Sequence, residues 1–192
     1  KGLRGLNVTI PYKEEIIPYL DKLSKTAKKI GAVNCITISK KKKLKGYNTD
    51  YHGFKKSIKP LLKDHHKKAL ILGTGGASKA IAYALRSLKI EYDFVSRTAD
   101  EFQYKYEELD ASIFEEYTVI INTTPVGTHP NVDDCPNLDY SLFTKKHIAY
   151  DLIYNPEETA FLRKAKAKGA ATKNGYEMLV LQAEKAWKIW NE

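Results

Sequence analysis

Asn7, Thr9 and Lys13, near the start of the chain, are polar side chains that the local pattern brings together. A strand is predicted over Leu6–Ile10, so Asn7 and Thr9, two residues apart, lie on the same face. Lys13 follows in a short helix predicted over Pro11–Ile17 and opened by its proline. The three side chains are expected to converge on one spot, where the lysine could transfer a proton.

Two further segments supply an amide and a carboxylate in glycine-flanked turns. Gly31-Ala32-Val33-Asn34 contains Asn34, and the segment from Gly46 to Gly53 contains Asp50. Turns often display functional side chains, and a carboxylate beside Lys13 would fix the position of its ammonium group. From the residues alone, a surface lysine and an aspartate that caps a turn explain the pattern equally well.

A glycine-rich turn further along the chain has the setting of a phosphate-binding loop. Gly73-Thr74-Gly75-Gly76-Ala77-Ser78 follows a predicted strand at Ala69–Leu72 and opens a predicted helix. Small residues let the backbone approach a pyrophosphate, whose charge is met by the amino end of the helix. Ser78 stands where the usual pattern has a third glycine or an alanine. The alternative is a tight strand-to-helix turn that binds no ligand.

The end of the next predicted strand, Tyr92–Val95, indicates which dinucleotide such a loop would bind. NAD sites carry an acid there for the ribose hydroxyls, whereas this chain has Ser96-Arg97-Thr98. A guanidinium and two hydroxyl groups suit a 2′-phosphate, so NADP is preferred over NAD. The alternative is that Arg97 is an exposed arginine without a ligand. The stretch 123–127 follows another strand and is expected to line the cofactor site.

Strand and helix signals alternate from residue 67 to residue 172, in the rhythm that builds a parallel sheet. Apolar residues such as Ile81 and Leu85 recur at helical spacing and give the helix after the glycine loop one buried face. We therefore predict an α/β fold with a Rossmann-type doubly wound parallel sheet. Further strands are predicted at Val119–Ile121, Ile148–Tyr150 and Ala170–Thr172, and helices from Asn155-Pro156 to Gly169 and from about Tyr176.

Residues 1–62 differ from this pattern. They hold a strand, a short helix and a hairpin of Cys35–Ile38 and Leu44–Tyr47 with a lysine run at its tip, which is too little to close a core. We interpret them as an α/β substrate domain that is truncated at its N-terminus. Residues 63–174 are the predicted NADP-binding domain, and residues 175–192 a C-terminal helix that returns to the first domain. Its packed face is predicted to carry Leu179, Ala183, Ala186, Trp187 and Trp190.

Composition limits the partners. A net charge of +9 favours anionic ligands, and the lysine run lacks the interleaved aromatic residues of a nucleic-acid surface. Nucleic acid is therefore not an expected partner. No segment is apolar for long enough to span a membrane, so a membrane is not an expected partner either. A cytoplasmic location is predicted. Cys35 and Cys135 show no metal-ligand spacing, so no metal is expected. His52 and His129 are interpreted as exposed loop residues.

Six strings in this sequence closely resemble the shikimate dehydrogenase family. They occur in family order from the first residues to the last helix, which makes the assignment far more specific than the glycine loop alone. The strings are Gly-Leu-Asn-Val-Thr-Ile-Pro-Tyr-Lys at 5–13, Gly-Ala-Val-Asn at 31–34, Asn-Thr-Asp-x-x-Gly at 48–53, Gly-x-Gly-Gly-Ala at 73–77, Arg-Thr at 97–98 and Gly-x-x-Met-Leu-Val-x-Gln-Ala at 175–183.

The resemblance implies an NADP-dependent oxidoreductase that reversibly reduces 3-dehydroshikimate to shikimate in aromatic amino-acid biosynthesis. It also implies that Lys13 and Asp50 are the catalytic pair. Substrate would be held by Asn7, Thr9, Lys13, Asn34, Asp50, Tyr154 and Gln182. NADP would contact Gly73, Thr74, Gly75, Gly76, Ala77, Ser96, Arg97, Thr98, Thr123, Leu152 and Gly175.

The sequence departs from the family pattern at two points. Ser96 replaces the asparagine commonly found before the arginine and threonine, and the family's upstream strand with paired serines has no counterpart here. The alternatives to a shikimate enzyme are a quinate-using relative, a catalytically inactive module that binds NADP and, ranked last, a nucleic-acid binder. A small-molecule substrate is expected, and the protein is expected to be a monomer or a homodimer.

Overall fold

The computed structural model describes residues 2–192, which form two β-sheets and six α-helices. The strands are β1 (Gly5–Asn7), β2 (Lys22–Leu23), β3 (Cys35–Ile38), β4 (Leu44–Tyr47), β5 (Lys68–Leu72), β6 (Glu91–Val95), β7 (Gln103–Tyr104), β8 (Val119–Asn122), β9 (Ile148–Asp151) and β10 (Ala171–Lys173). The helices are α1 (Lys25–Ile30), α2 (Asp50–Ile58), α3 (Gly76–Ser87), α4 (Ala111–Glu116), α5 (Ala160–Lys166) and α6 (Tyr176–Asn191), with 3-10 turns at Ile17–Tyr19, Lys59–Leu61, Tyr106–Glu108 and Tyr140–Leu142.

The larger sheet is parallel throughout and has the strand order β10-β9-β8-β5-β6-β7. The chain runs outward from β5 to β7 and then crosses back to place β8 on the other side of β5. The predicted doubly wound, Rossmann-type sheet is therefore confirmed. Its switch point lies between the carboxyl ends of β5 and β8, which is where sheets of this kind bind ligands.

The central strands β5, β8 and β9 are buried on both faces, and helices cover each face of the sheet. Phe54 of α2, Ile81 of α3 and Met178 of α6 contribute to the apolar core on one face. Phe114 of α4 and Phe161 of α5 contribute to the core on the other face. Helix α2 therefore packs on the large sheet, although its sequence precedes the predicted boundary at residue 62.

The smaller sheet has the order β1-β3-β4-β2 and contains the predicted hairpin, whose strands β3 and β4 pair antiparallel. Before the hairpin, the predicted strand is present with different bounds, and the predicted helix is wrong. Strand β1 ends at Asn7, and residues 11–16 form turns followed by the 3-10 turn Ile17–Tyr19. The carbonyl of Lys13 accepts a hydrogen bond from Val33 N at 2.7 Å, so it is bonded across to the segment before β3 instead of along a helix.

Helix α5 begins later than its proline suggested. Thr159 is its N-cap, with Oγ1 accepting from Leu162 N, and the first helical residue is Ala160. The helix itself is confirmed, but its expected start at Asn155-Pro156 is wrong, because the side chain that caps it belongs to Thr159, four positions beyond Asn155. His52 is also not a loop residue, since it lies half-buried in α2.

Helix α6 returns to the small sheet, as predicted. Trp190 Nε1 donates to the carbonyl of Ile36 at 3.0 Å, and the Trp190 ring lies against Gly5 of β1. The predicted packed face is only partly correct, because Trp187 is 66% exposed and Ala183 is exposed. Met178 and Ala186 are the buried residues of this helix.

Within residues 2–192, no helix combines the length and the apolar character needed to cross a bilayer. In the same range, no group of three or more His, Cys, Asp or Glu side chains is arranged to bind a metal ion. Burial raises the pKa of the Cys35 thiol to about 11, so this cysteine stays protonated at neutral pH.

Gly53 permits the close approach of α2 and α6, and its replacement tests how tightly the two helices are packed. A Cβ at Gly53 would lie 2.5 Å from the carbonyl oxygen of Met178. Overpacking costs about 1–3 kcal/mol, and we expect this to exceed the gain of about 1 kcal/mol in helix propensity. Gly53→Ala should therefore lower the free energy of unfolding measured by urea titration. Gly2→Ala, where an added Cβ has no neighbour within 4 Å, is the control and should leave it unchanged.

Candidate active site

A cleft of about 520 Å³ opens between the small sheet, the carboxyl ends of β8 and β9 and the first half of α6. It contains eleven of the side chains or backbone positions that the sequence predicted for substrate or cofactor. They are Asn7, Thr9, Lys13, Asn34, Asp50, Ala77, Thr123, Leu152, Tyr154, Gly175 and Gln182. Residues distant in sequence are thus brought together around one cavity.

Lys13 and Asp50 form an ion pair inside this cleft. Lys13 Nζ donates to Asp50 Oδ2 at 2.7 Å, and the side chains are 13% and 7% exposed. Asp50 is the first residue of α2, while Lys13 lies in the turns after β1, held by its backbone bond from Val33 N. An ammonium group is therefore kept in one place at the wall of a cavity, next to a carboxylate that cannot swing away.

Asn34 holds the other oxygen of the same carboxylate. Its Nδ2 donates to Asp50 Oδ1 at 2.8 Å and also lies 2.9 Å from Thr49 Oγ1, while its Oδ1 accepts from Thr49 N at 2.6 Å. The amide orientation is fixed by these partners, since Oδ1 must accept and Nδ2 must donate. Asn34 therefore connects the strand β3 with the first turn of α2.

Gln182 brings helix α6 into the same group of side chains. Its Oε1 lies 3.2 Å from Asn34 Nδ2 and 3.3 Å from Thr49 Oγ1, and its Nε2 donates to the carbonyl of Leu179 at 3.0 Å. Gln182 lines the cleft together with Lys13. A cavity with largely apolar walls and several convergent amide and hydroxyl groups is suited to a small ligand with several hydroxyl groups.

The glycine loop has the backbone geometry that a phosphate-binding turn requires. Gly73 has a φ of 97°, donates from its N–H to the carbonyl of Val95 at 2.8 Å, and packs against the side chains of Thr123 and Thr124. A Cβ at Gly75 would have no neighbour within 4 Å, so the backbone at the amino end of α3 is open. This end of the helix offers N–H groups to an anion.

The segment that carries Lys13 packs directly on helix α3. A Cβ at Gly76 would lie 3.2 Å from Lys13 Cβ and 3.5 Å from Glu14 Oε1, and Lys79 of α3 forms an ion pair with Glu14. The ammonium group of Lys13 is thereby placed close to where the glycine loop would hold a cofactor.

The residues predicted for the 2′-phosphate lie outside the cleft, at the end of β6. Ser96 is buried and its Oγ accepts from Thr98 N at 3.2 Å, whereas Arg97 and Thr98 are exposed. In the part of the chain that the structure describes, Arg97 forms no ion pair with a carboxylate. The guanidinium is therefore available to an anionic ligand.

Several residues that line the cleft were not predicted from the sequence to belong to the site. Thr128 and His129 come from the loop after β8, and His129 is exposed, as expected, but at the mouth of the cleft. The apolar lining was also not predicted, because an isolated apolar residue carries no sequence signal of its place in the fold. This lining consists of Val8, Ile10, Ile153, Met178 and Leu179.

Known proteins resemble this chain along nearly its whole length. The family model described as "Shikimate dehydrogenase substrate binding domain" matches residues 1–36. The "Shikimate dehydrogenase (NADP(+))" of Carboxydothermus hydrogenoformans is 42% identical over 204 residues, covering 98% of this chain and 72% of that protein.

Solved structures agree with these matches. The shikimate dehydrogenase of Aquifex aeolicus superposes with a TM-score of 0.87 at 41% identity, covering 98% of this chain and 72% of that one. The shikimate 5-dehydrogenase of Thermus thermophilus, in complex with NADP(H) and shikimate, superposes with a TM-score of 0.85 at 36% identity, covering 99% of this chain and 74% of that one.

Asn34 offers a test of the hydrogen-bond network that fixes Asp50. Asn34→Ala leaves the buried N–H of Thr49 without its acceptor and Asp50 Oδ1 without its donor. Each unsatisfied buried group costs about 1–3 kcal/mol, so we expect a clear drop in thermal unfolding temperature. Ser39→Ala removes a comparable side-chain acceptor, for Lys43 N, in an exposed turn and should shift the temperature little. Equal shifts for the two variants would contradict the assigned geometry.

Proposed function

Because the chain belongs to the shikimate dehydrogenase family, we infer that it is an NADP-dependent oxidoreductase that reversibly reduces 3-dehydroshikimate to shikimate in aromatic amino-acid biosynthesis. One observation supports this function more than any other. The largely buried Lys13–Asp50 pair lines a cleft directly beside a glycine loop at the switch point of a doubly wound sheet.

The reaction needs a hydride and a proton to move at one hydroxyl-bearing ring carbon. NADP, when bound, supplies or accepts the hydride. We assign the proton to Lys13, whose ammonium is within the cleft and is oriented by Asp50. In the direction of ketone reduction, a proton passes from Nζ to the oxygen as it becomes a hydroxyl, and in oxidation the amine takes it back.

Asp50 and Asn34 support this proton transfer by position. Each oxygen of the Asp50 carboxylate is bonded, one to Lys13 and one to Asn34, so the carboxylate directs the ammonium without turning toward solvent. Holding the donor in place replaces a search over many side-chain orientations with a single arrangement.

The remaining polar groups of the cleft are proposed to hold the substrate. Asn7 and Thr9 lie on the small-sheet side, while Tyr154 and Gln182 lie on the side of β9 and α6. Amides and hydroxyls can both donate and accept, which suits the hydroxyl groups and carboxylate of shikimate. The separation of these groups across the cleft would orient the ring toward Lys13.

The cofactor residues are proposed from the same geometry. The open amino end of α3 would receive the pyrophosphate at Gly73, Thr74, Gly75, Gly76 and Ala77. The 2′-phosphate would lie against Ser96, Arg97 and Thr98, and the wall formed by Thr123, Leu152 and Gly175 would face the rest of the cofactor. The residues present therefore fit NADP.

The finer alternatives stay predictions from the sequence. A quinate-using enzyme differs by one ring hydroxyl, so comparing turnover of quinate and shikimate separates the two. A module that binds NADP without catalysis would show cofactor binding and no turnover of either compound. A cytoplasmic location and a monomeric or homodimeric state likewise stay predictions.

Removing the Lys13 side chain tests the assigned proton transfer. Lys13→Ala should lower kcat for NADP-linked oxidation of shikimate by about 10²–10⁴-fold, the usual contribution of a positioned acid or base. NADP affinity measured by calorimetry should change little. Lys41→Ala, in the exposed hairpin tip, is the matched control and should retain full activity. A Lys13→Ala enzyme with most of its turnover would place the proton transfer elsewhere.

Arg97 tests the cofactor preference. A charge-assisted contact to a phosphate is worth about 1.5–3 kcal/mol, so Arg97→Ala should weaken NADP binding by roughly 10–150-fold while leaving NAD binding almost unchanged. Calorimetric titration with each dinucleotide measures both effects. Arg163→Ala removes an exposed arginine from α5 and should alter neither affinity. An unchanged ratio of NADP affinity to NAD affinity in the Arg97 variant would contradict the assignment of Arg97 to the 2′-phosphate.

A further inference from the structure

Asp151 is a fully buried carboxylate at the carboxyl end of β9, and its hydrogen-bond partners are all neutral. Asp151 Oδ1 accepts from Asn122 Nδ2 at 3.1 Å and from Ile153 N at 3.0 Å, and Oδ2 accepts from Thr159 Oγ1 at 2.6 Å. Among residues 2–192, no lysine, arginine or histidine is within ion-pair distance of it. A buried charge without a counter-ion is costly, so its presence calls for an explanation.

Asn122 extends the network into the loop that follows β8. Its Oδ1 accepts from both Thr124 N at 3.0 Å and Thr124 Oγ1 at 2.6 Å, and Nδ2 approaches the carbonyl of Val126 at 3.4 Å. The carboxylate is therefore connected, through one amide side chain, to two positions of this loop.

The second loop follows β9 and is bonded to the carboxylate through its own backbone. Ile153 N donates to Asp151, and the carbonyl of Ile153 accepts from Gly175 N at 3.0 Å. Gly175 packs so closely that a Cβ there would lie 2.0 Å from the carbonyl oxygen of Leu152. The start of α6 is thus aligned with this loop.

Both loops form one wall of the cleft. Thr123, Thr124 and Pro125 come from the loop after β8, and Leu152 and Ile153 come from the loop after β9. Thr123 and Leu152 are two of the three wall residues assigned to NADP above. The buried pair of Asn122 and Asp151 lies directly behind that wall, one residue before each loop begins.

We propose that Asp151 is a positioning residue for cofactor binding, which fixes the two loops of the cofactor wall relative to each other through Asn122 and the Ile153 N–H. The inference rests on the proposed function only in that the wall is taken to contact NADP. Asp151 itself touches neither substrate nor cofactor in this arrangement.

The protonation state of Asp151 should affect its bond to Thr159 at Oδ2. Burial is the main cause that raises its pKa to about 6, while the hydrogen bonds from Thr159, Ile153 and Asn122 act in the opposite direction. The phenols of Tyr140 and Tyr150 are the titratable groups whose pKa its charge raises. A protonated carboxyl must donate from one oxygen, so it loses one of its acceptor positions.

The sign of the stability change follows from the raised pKa. The folded value of about 6 lies above the ordinary value of 3.8, so the native state takes up a proton between these two pH values. The contribution of this one group to the stability therefore increases as pH falls from about 6 toward 4. Cofactor affinity should change little over the same range, because a protonated carboxyl can still accept from Asn122 and Ile153 at Oδ1 while Oδ2 donates to Thr159.

The test compares three proteins, the wild type and two Asp151 variants, by calorimetric NADP titration and thermal unfolding. Asp151→Ala should raise the Kd for NADP at least tenfold at pH 7.5. Asp151→Asn should restore most of the affinity, because Oδ1 can still accept from Asn122 and Ile153 while Nδ2 donates to Thr159 Oγ1.

Two further variants separate positioning from general stability. Phe161→Leu removes buried volume from α5, the helix that Thr159 caps, and should lower the unfolding temperature without changing NADP affinity. If Asp151→Ala does not fold, Asn122→Ala carries the test, with the same rise in Kd expected. An unchanged Kd in the Asp151 or Asn122 alanine variant would overturn the inference, as would an equal rise in Phe161→Leu. Wild-type protein that does not bind NADP would overturn the proposed function instead.

Discussion

The carboxylate of Asp50 connects the two walls of the cleft, and the arrangement of the site depends on it. Asp50 begins α2, whose residues Phe54 and Ile58 are buried in the core of the large sheet. Its two oxygens are bonded to Lys13 and Asn34, which belong to segments of the small sheet. Removing one partner from a buried ion pair costs about 3–5 kcal/mol, so the two walls are held in a fixed relative position.

The packing around Lys13 adds a second constraint on the relative position of the two walls. Its Cβ lies against Gly76 at the start of α3, and the neighbouring Glu14 pairs with Lys79 one turn further along that helix. An exposed pair of this type contributes little stability by itself. It does mean that the ammonium group and the glycine loop belong to one contact surface, so movement of the small sheet away from α3 would displace Lys13 from the proposed cofactor site.

Local sequence signals predicted the parallel sheet and the hairpin, because each depends on a short pattern: apolar runs ending at glycines, or two strand-like pieces around a polar tip. These signals gave wrong predictions where a contact with a residue distant in sequence determines the local structure. Lys13 is held in turns by a bond from Val33, and α5 begins after its N-cap Thr159, whose hydroxyl also bonds Asp151. The grouping of Lys13, Asn34 and Asp50 came from motif resemblance, since spacing alone was equally compatible with a surface lysine and a turn aspartate.

Asp50 and Asp151 show two ways in which this fold accommodates a buried carboxylate. Asp50 has a cation beside it, and the pair faces the cleft where substrate would lie. Asp151 has only neutral donors and lies behind the wall, so it cannot exchange protons readily with a ligand. The second arrangement costs more to bury, because hydrogen bonds compensate a charge less completely than an opposite charge does together with them. In return, the Asp151 carboxylate accepts hydrogen bonds from several directions at once. Its donors lie at the carboxyl ends of β8 and β9 and at the start of α5. An apolar residue of the same size would remove the charge but leave three donors without a partner.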